Sequence, residues 1–518
     1  MTNSVSGARV SILEPLLRRK RAAPAESANE QAGPERRKIS AFAPSVDVFN
    51  STKNTKAFPY WSRLVPEIRA MILERLPSSR GFGKHRIGDY ASVSREWKAW
   101  VESRTFASLK IDSLTQIRRL GEYVRGERAS YVRNVHLYTD LMPYRDRQVA
   151  EDEECVNFNN RRFSQRVKIL FAIISTWNST SGMTLELSAS SPTDLFAAAW
   201  LETHEDFISD YILDSNYSSQ KRERLLGNLL DLQGDENGTV SLSPVPAVKR
   251  LVVSRRHFRS LTAHAITTIT GHLPGLEEVV YEPWEFVNMA GQIDRDYAVT
   301  KLLDHLPSSV KAVTLWETSR PMIHRDVVTT KLDMEEAHAA VRASCQLSFF
   351  SSAGMVDADH FFRLARTNDT ERPIWPELRT ICLKSQSLSG LRSQKDVTLL
   401  LIDAAAAALR MPKLELMELW YASEGRGTII RLDLRGDRAK LHVASTWDVH
   451  LAPVVRRLFG QVAWNRTHWD LDFSFEEIDP GSLMGGQYNI CERLHSTECL
   501  CWAPGAFDKL SREDDVDV

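Results

Sequence analysis

The chain of 518 residues lacks a long uncharged apolar run and lacks an apolar leader segment. Its richest apolar stretch, residues 397–409, is interrupted by Asp403 and is shorter than the ~20 apolar residues that a membrane-spanning helix needs. The N-terminus shows no apolar segment followed by a small-residue cleavage site, which argues against secretion. These absences predict no membrane partner and a location in the cytoplasm, the nucleus or both.

The chain also has few cysteines and almost no net charge. Six cysteines are too few and too scattered for a disulfide-stapled fold, which predicts free thiols in a reducing compartment. The 66 basic and 67 acidic side chains give a net charge of -1, whereas a dedicated nucleic-acid binder has a basic excess. We therefore expect no nucleic-acid partner. The ordinary apolar and charged content allows a globular core in several domains or in one repeat array.

Composition divides the chain into four regions. Residues 1–57 are predicted to form a disordered tail with basic clusters at 18–21 and 36–38, read either as a nuclear-import signal or as a solvated charged segment. Residues 58–112 predict a compact helical module, and residues 113–480 mix strand and helix signals. Residues 481–518 predict an irregular, Cys-containing tail with an acidic end.

The module at 58–112 predicts two short helices. Apolar residues recur at helical spacing after Pro66, a residue that suits the first helical turn because its missing N–H would be unpaired there. Asp89 is the predicted N-cap of the second helix, which carries Val93 and Trp97. So much apolar surface on ~50 residues predicts docking on a partner or, alternatively, on the next domain of the same chain.

The sequence of this module resembles an F-box. The resemblance lies in Leu64-Val65-Pro66-Glu67-Ile68, in Leu76-Pro77 and above all in Val93-Ser94-Arg95-Glu96-Trp97. The family usually opens with Leu-Pro, any residue and Glu, whereas here Val65 takes the place of the first Pro. The sequence of this module is most similar to those of large fungal F-box proteins.

The resemblance implies a three-helix hook for a Skp-type linker protein, which joins F-box proteins to a cullin in a ubiquitin ligase. The implied linker-binding residues are those at matching positions, some of which could instead be internal core. They are Leu64, Pro66, Glu67, Ile68, Ile72, Leu76, Val93 and Trp97.

The region 113–480 repeats one pattern, in which Pro is followed by the motif apolar-x-x-apolar-x-apolar. The prolines are spaced by 28, 33, 69 and 36 residues, and Leu347 with Phe349 could mark a unit inside the long gap. They are Pro246, Pro274, Pro307, Pro376 and Pro412. Residues with helical periodicity lie between the units, and the pattern resembles a degenerate leucine-rich repeat. The Asn that this family has after each strand is absent. We expect an α/β fold in which the F-box precedes a curved solenoid of strand–helix units, with a non-repeating α/β domain as the alternative.

Three tryptophans follow predicted strands at positions where a target protein could be held. Trp284, Trp316 and Trp420 are candidate target-binding residues, because large aromatics anchor interfaces, and core packing is the alternative.

No motif in the chain predicts catalysis or a cofactor. Cys491, His495, Cys499 and Cys501 match no common zinc spacing, so we predict free thiols and no metal. The acidic residues 151–154 predict a solvated loop. The resemblance to F-box proteins implies that the chain is a non-enzymatic substrate adaptor of a Skp–cullin–F-box ubiquitin ligase. A scaffold outside any ligase, or an unrecognised enzyme with a deep pocket of perturbed ionisable groups, remain alternatives.

Overall fold

The computed structural model describes residues 60–75, 87–143, 151–177, 182–192, 226–234, 239–254, 258–317, 333–367, 374–483 and 487–496. The chain divides into two compact units, residues 1–69 and 70–518, which are described separately. The predicted tail at 1–57 and its basic clusters, Leu76, Cys499 and Cys501 lie outside the described residues.

The described part of the first unit contains a 3-10 turn at Trp61–Arg63 and the start of helix α1, Pro66–Glu74. The helix begins at Pro66, as predicted, because a proline costs no hydrogen bond in the first turn. The backbone amides of Ile68 and Arg69 donate to the carbonyl of Val65 at 3.1 and 3.2 Å, which closes this turn.

The second unit contains the end of helix α1, then a 3-10 helix at Ile87–Ser92 and helix α2 at Arg95–Thr105. The predicted N-cap, Asp89, is wrong. Asp89 lies within the 3-10 helix, where its carbonyl accepts a hydrogen bond from the Ser92 hydroxyl at 2.8 Å. The cap is Ser94, whose side chain accepts the backbone N–H of Trp97 at 3.2 Å. Serine is a favoured N-cap residue, because its hydroxyl oxygen can accept a backbone N–H of the first helical turn.

Among the described residues, one sheet of twelve strands organises the second unit, and the mixed α/β class is confirmed. The strand order in the sheet is the order in the chain, β1 to β12. The strands are β1 Ser108–Ile111, β2 Asn134–Asp140, β3 Met183–Ser190, β4 Val248–Val253, β5 Glu278–Tyr281, β6 Ala312–Trp316, β7 Phe349–Ala353, β8 Thr380–Lys384, β9 Leu416–Ser423, β10 Arg426–Asp433, β11 Lys440–Ser445 and β12 Asp472–Glu477. Pairing is parallel from β1 to β9, antiparallel through β9, β10 and β11, and parallel again for β12.

Helices lie between most consecutive strands, as parallel pairing requires a crossover from one strand to the next. The remaining helices are α3 Leu114–Tyr123, α4 Glu127–Tyr131, α5 Glu153–Ile174, α6 Ala263–Gly271, α7 Met289–Asp304, α8 Asp333–Ser344, α9 Ala358–Thr367, α10 Gln394–Ala408, α11 Pro453–Thr467 and α12 Gln487–Cys491. The main core is formed by the apolar faces of these helices and of the sheet.

The predicted repeat pattern corresponds to strands of this sheet. The middle apolar residue of each predicted unit falls in one register row, formed by Leu251, Val279, Val313, Ile381 and Met417. Phe350 of β7 fills the gap in the row between Val313 and Ile381, so the long Pro spacing does contain a strand. All six side chains are buried, because the same face of each strand packs against the helices.

The sheet begins before the region predicted to contain it, and its last strand ends inside that region, at Glu477. β1 pairs with β2, although residues 108–111 were assigned to the helical module. Beyond 480, the residues placed in an irregular tail instead pack on the sheet where the structure describes them. Leu483, Ile490 and Leu494 are buried in a second apolar cluster together with Trp316 and Trp420. Apolar residues at 478–494 were the available signal for this packing.

Candidate protein-interaction surface

Exposed apolar side chains occur in the described part of the F-box-like sequence. In the first unit, Val65 and Ile68 are 56% and 42% exposed, Pro66 and Glu67 are exposed and Leu64 is half-buried. Solvent exposure of several large apolar side chains on one helix is typical of a surface that meets a partner.

The second unit adds exposed apolar residues from the same text. Met71, Ile72 and Val93 are 52%, 39% and 57% exposed, so they do not belong to the chain's own core. Trp97 is half-buried, and its ring lies 6.1 Å from that of Tyr90. Of the predicted linker-binding residues in this unit, Ile72 and Val93 therefore present surface, and Trp97 partly supports the fold. The exposure of Met71 was not predicted.

Helix α2 is held in place by contacts with helix α4. Arg128 of α4 forms an ion pair with Glu102 at 2.7 Å and lies over the ring of Phe106 at 5.3 Å. Val101, one residue before Glu102, is buried. These contacts fix one face of the helix and leave Val93, just before its start, exposed to solvent.

The three predicted target-binding tryptophans are buried. Trp284 stacks on Phe258 at 5.4 Å, and Trp316 stacks on Trp420 at 5.6 Å. Each tryptophan is at most 2% exposed, so in this conformation its ring offers almost no surface to a target. The arrangement is the core-packing alternative, and we carry none of these residues into the proposals below.

A buried charge cluster between α7, α8 and the end of β6 was missed by the sequence reasoning. Arg295 contacts Asp296 at 2.9 Å and also pairs with Glu317, the residue after β6. Gln292 donates from one amide nitrogen to Asp296 at 3.1 Å and to Glu317 at 3.2 Å. Each of these side chains is at most 5% exposed. Acidic and basic residues in separate elements give no local sequence signal for such a cluster.

Glu336 of α8 completes the cluster, and its electrostatics are unusual. Burial, followed by repulsion from Asp296, raises the pKa of Glu336 to about 9. Its side chain therefore holds a proton at neutral pH. The cluster then has two carboxylates against one guanidinium.

Two grooves lie elsewhere on the described part of the chain. A groove of about 510 Å³ lies between α3 and α5 and is lined in part by Arg118 and Trp177. Another of about 490 Å³ is lined in part by Arg438 and Trp469. Neither groove is lined by a residue of the cluster, and burial in a network between packed elements accounts for the raised pKa of Glu336.

Replacing Glu336 by Gln should flatten the pH dependence of stability. The folded state of the natural chain keeps a proton that the unfolded state releases above its ordinary pKa, so stability falls as pH rises towards 9. Gln is neutral throughout and can donate to Asp296. Between pH 6 and 9 we expect the variant to lose at least ~1.4 kcal/mol less than the natural chain, which is one pKa unit.

Chemical unfolding at several pH values measures this difference. Glu335→Gln is the matched control, because Glu335 is the exposed neighbour on the same helix. Equal slopes for Glu336→Gln and the natural chain would show that Glu336 is ionised in the fold.

The acidic residues 151–154 are only partly solvated, so the loop prediction needs correction. Glu151 has a side chain that is 2% exposed and forms an ion pair with the buried Arg259 at 3.3 Å. Burial lowers the pKa of Arg259 to about 9. Asp152 caps α5 by accepting the backbone N–H of Cys155 at 2.8 Å, and Glu153 and Glu154 are exposed in its first turn. Acids there favour the positive helix end.

A second buried acid attaches residues 493–496 to the sheet. Glu418 of β9 accepts the backbone N–H groups of His495 and Ser496, each at 3.0 Å. Arg431 of β10 donates to the same carboxylate at 2.6 Å and to the carbonyl of Arg493. The Glu418 side chain is fully buried, and the Ser496 hydroxyl donates to it as well, so protein donors satisfy its charge.

The structure describes two of the residues considered above as free thiols or metal ligands, Cys491 and His495. Cys491 is buried and free, and burial raises its pKa well above the ordinary value for a thiol. His495 lies 3.0 Å from a guanidinium nitrogen of Arg435. In the part of the chain that the structure describes, no three His, Cys, Asp or Glu side chains form a group suited to a metal ion.

The comparisons with known proteins cover the second half of the sheet. Residues 305–498 match the family of unknown function DUF6546. No curated protein matches the chain. The matched range runs from before β6 to just after the residues that Glu418 binds, so it takes in strands β6 to β12 and the packed C-terminal segment together. Among the described residues, no helix combines the length and apolar character needed to cross a bilayer.

Proposed function

We propose that the chain is a substrate adaptor of a Skp–cullin–F-box ubiquitin ligase. Its F-box would bind a Skp-type linker protein, and the sheet region would bind a target. Such an adaptor contributes proximity and orientation rather than chemistry. The proposed architecture is a small helical F-box followed by a leucine-rich-repeat-like solenoid.

The observation that carries the proposal is the exposure of Met71, Ile72 and Val93. These residues lie in or directly beside the F-box-like motif, and interfaces draw their affinity from a few apolar side chains that become buried on binding. If this motif were internal core, the same side chains would be covered by the chain itself. The strand order supports the solenoid part, since neighbouring strands in the sheet are neighbours in the chain.

The test is capture of the purified chain by an immobilised Skp-type linker. Ile72→Asp together with Val93→Asp should reduce affinity at least ~100-fold, because two charged groups would be desolvated at the interface for a cost of roughly 3 kcal/mol or more. Both positions are exposed, so folding should be retained, which circular dichroism checks.

Leu399→Asp is the matched control, since Leu399 is an exposed apolar residue of α10 outside the motif. It should leave capture unchanged. Undiminished capture of the double variant would contradict the proposal. Co-purification of a cullin with the captured complex separates a ligase adaptor from a scaffold that uses the linker alone.

A further inference from the structure

β12 is the last strand of the sheet and has one open backbone edge. In the described residues it pairs only with β11. The amides of Asp472 and Ile478 donate inward to Ala439 and Ser445, at 3.0 and 2.9 Å. Because inward bonding alternates along a parallel ladder, the even-numbered residues bond to β11. The N–H and C=O groups of Phe473, Phe475 and Glu477 therefore point away from the sheet.

The two faces of this edge differ in chemistry. On the face towards helix α11, Arg456 lies over the rings of Phe473 and Phe475, at 5.0 and 5.9 Å. Phe473 packs against the main core, whereas Phe475 is 55% exposed. Asp472 and Glu476 point to the opposite face, since successive side chains on a strand alternate. A strand added here would meet the two aromatic rings and Glu477 on one face and the carboxylates of Asp472 and Glu476 on the other.

The charge around the edge favours a basic occupant. Residues 469–479 contain five acidic side chains and no Lys or Arg, in a chain that is nearly neutral overall. Lys440 lies opposite Asp472 on β11, and Arg493 pairs with Glu476 at 2.8 Å, so part of this charge is balanced from the inner side. A second copy of β12 is disfavoured as occupant, because its own acids would lie against these and like charges across strands repel.

We propose that the open edge of β12 binds an extended segment of a target protein in which basic and apolar residues alternate. The segment adds a strand to the sheet through the backbone groups of Phe473, Phe475 and Glu477. Its apolar side chains pack on Phe475, and its basic side chains face Asp472 and Glu476. Naming the segment as part of a ubiquitination target rests on the proposed function, whereas the binding itself does not.

The test uses a fluorescein-labelled octapeptide of alternating Lys and Val, the full-length chain and fluorescence anisotropy. We expect saturable binding that an alternating Glu–Val peptide lacks. Lys–Val peptide with methylated alternate amides should bind at least ~10-fold more weakly, because the peptide can no longer donate to the backbone carbonyls of the strand edge. Saturable binding of the Glu–Val peptide with equal affinity, or no binding of either peptide, would overturn the proposal.

Two variants at one position separate backbone pairing from the contribution of the ring. Phe475→Ala keeps the outward N–H, whereas Phe475→Pro also removes it, and proline is tolerated on the free side of an edge strand. Phe475→Pro should therefore weaken binding at least ~10-fold more than Phe475→Ala, whereas equal binding by the two would overturn strand addition. Each variant should still be captured by the Skp-type linker, and Ile72→Asp/Val93→Asp should still bind the peptide, so that failure of one proposal is distinguishable from failure of the other. A dimer of the natural chain in sedimentation that Phe475→Pro abolishes would assign the edge to a second copy and also overturn the proposal.

Discussion

Arg295→Leu is expected to lower the free energy of unfolding by about 3–5 kcal/mol, the usual cost of removing one partner of a buried ion pair. The guanidinium lies 2.9 Å from Asp296 and also pairs with Glu317, and its side chain is 1% exposed. Without it, two carboxylates remain buried in a site from which water is excluded. The mutual repulsion of Asp296 and Glu317 adds to the cost, because the guanidinium that lies between their charges is gone.

Urea unfolding followed by tryptophan fluorescence measures this loss. Arg342→Leu is the matched control, because Arg342 on α8 pairs with Asp304 of α7 at 2.6 Å but is 60% exposed. A surface pair of this kind contributes at most ~1 kcal/mol. Similar losses for the two variants would show that the Arg295 cluster is open to solvent.

Glu418→Leu is expected to release residues 493–496 from the sheet and to cost about 3–5 kcal/mol, because it leaves Arg431 charged, buried and without its carboxylate. The backbone N–H groups of His495 and Ser496 lose their acceptor at the same time. Trypsin should then cut after Arg493 much faster than in the natural chain, since a released segment is accessible to the protease.

Glu415→Leu provides the control on the same part of the chain. Glu415 lies just before β9 and pairs with Arg379, with both side chains substantially exposed. It should change the unfolding free energy by less than ~1 kcal/mol and leave cleavage after Arg493 unchanged. Slow cleavage in Glu418→Leu would show that the apolar contacts of Ile490 and Leu494 alone retain the segment.

Strand positions in this sheet could be predicted because each strand repeats one short apolar pattern. Leu251, Val279 and Val313 occupy equivalent positions, and a period of two along a strand buries the same face each time. The antiparallel pair β9–β10 was not foreseen. Its turn, at Glu424 and Gly425 with a positive φ of 66° at the glycine, requires only two residues and carries no Pro signal.

The buried charges could not be predicted for a different reason. Glu317 and Arg295 lie 22 positions apart, and their meeting depends on how α7 packs after β5. Composition treats both as surface residues, because most charged side chains are exposed. The same average explains why Glu151 was assigned to a solvated loop. Recognition of the F-box-like motif, in contrast, needed only local text, and the function drawn from it stays a prediction.

The agreement between strand order and chain order has a consequence for biosynthesis. Every strand of this sheet pairs with the strand made just before it, so no early strand has to wait for a distant one. Each pairing closes only the one connection between two successive strands, and the entropic cost of loop closure rises slowly with the length of that connection. Each newly emerged strand can join the growing sheet while the ribosome is still translating, and the segment that Glu418 binds joins after β12.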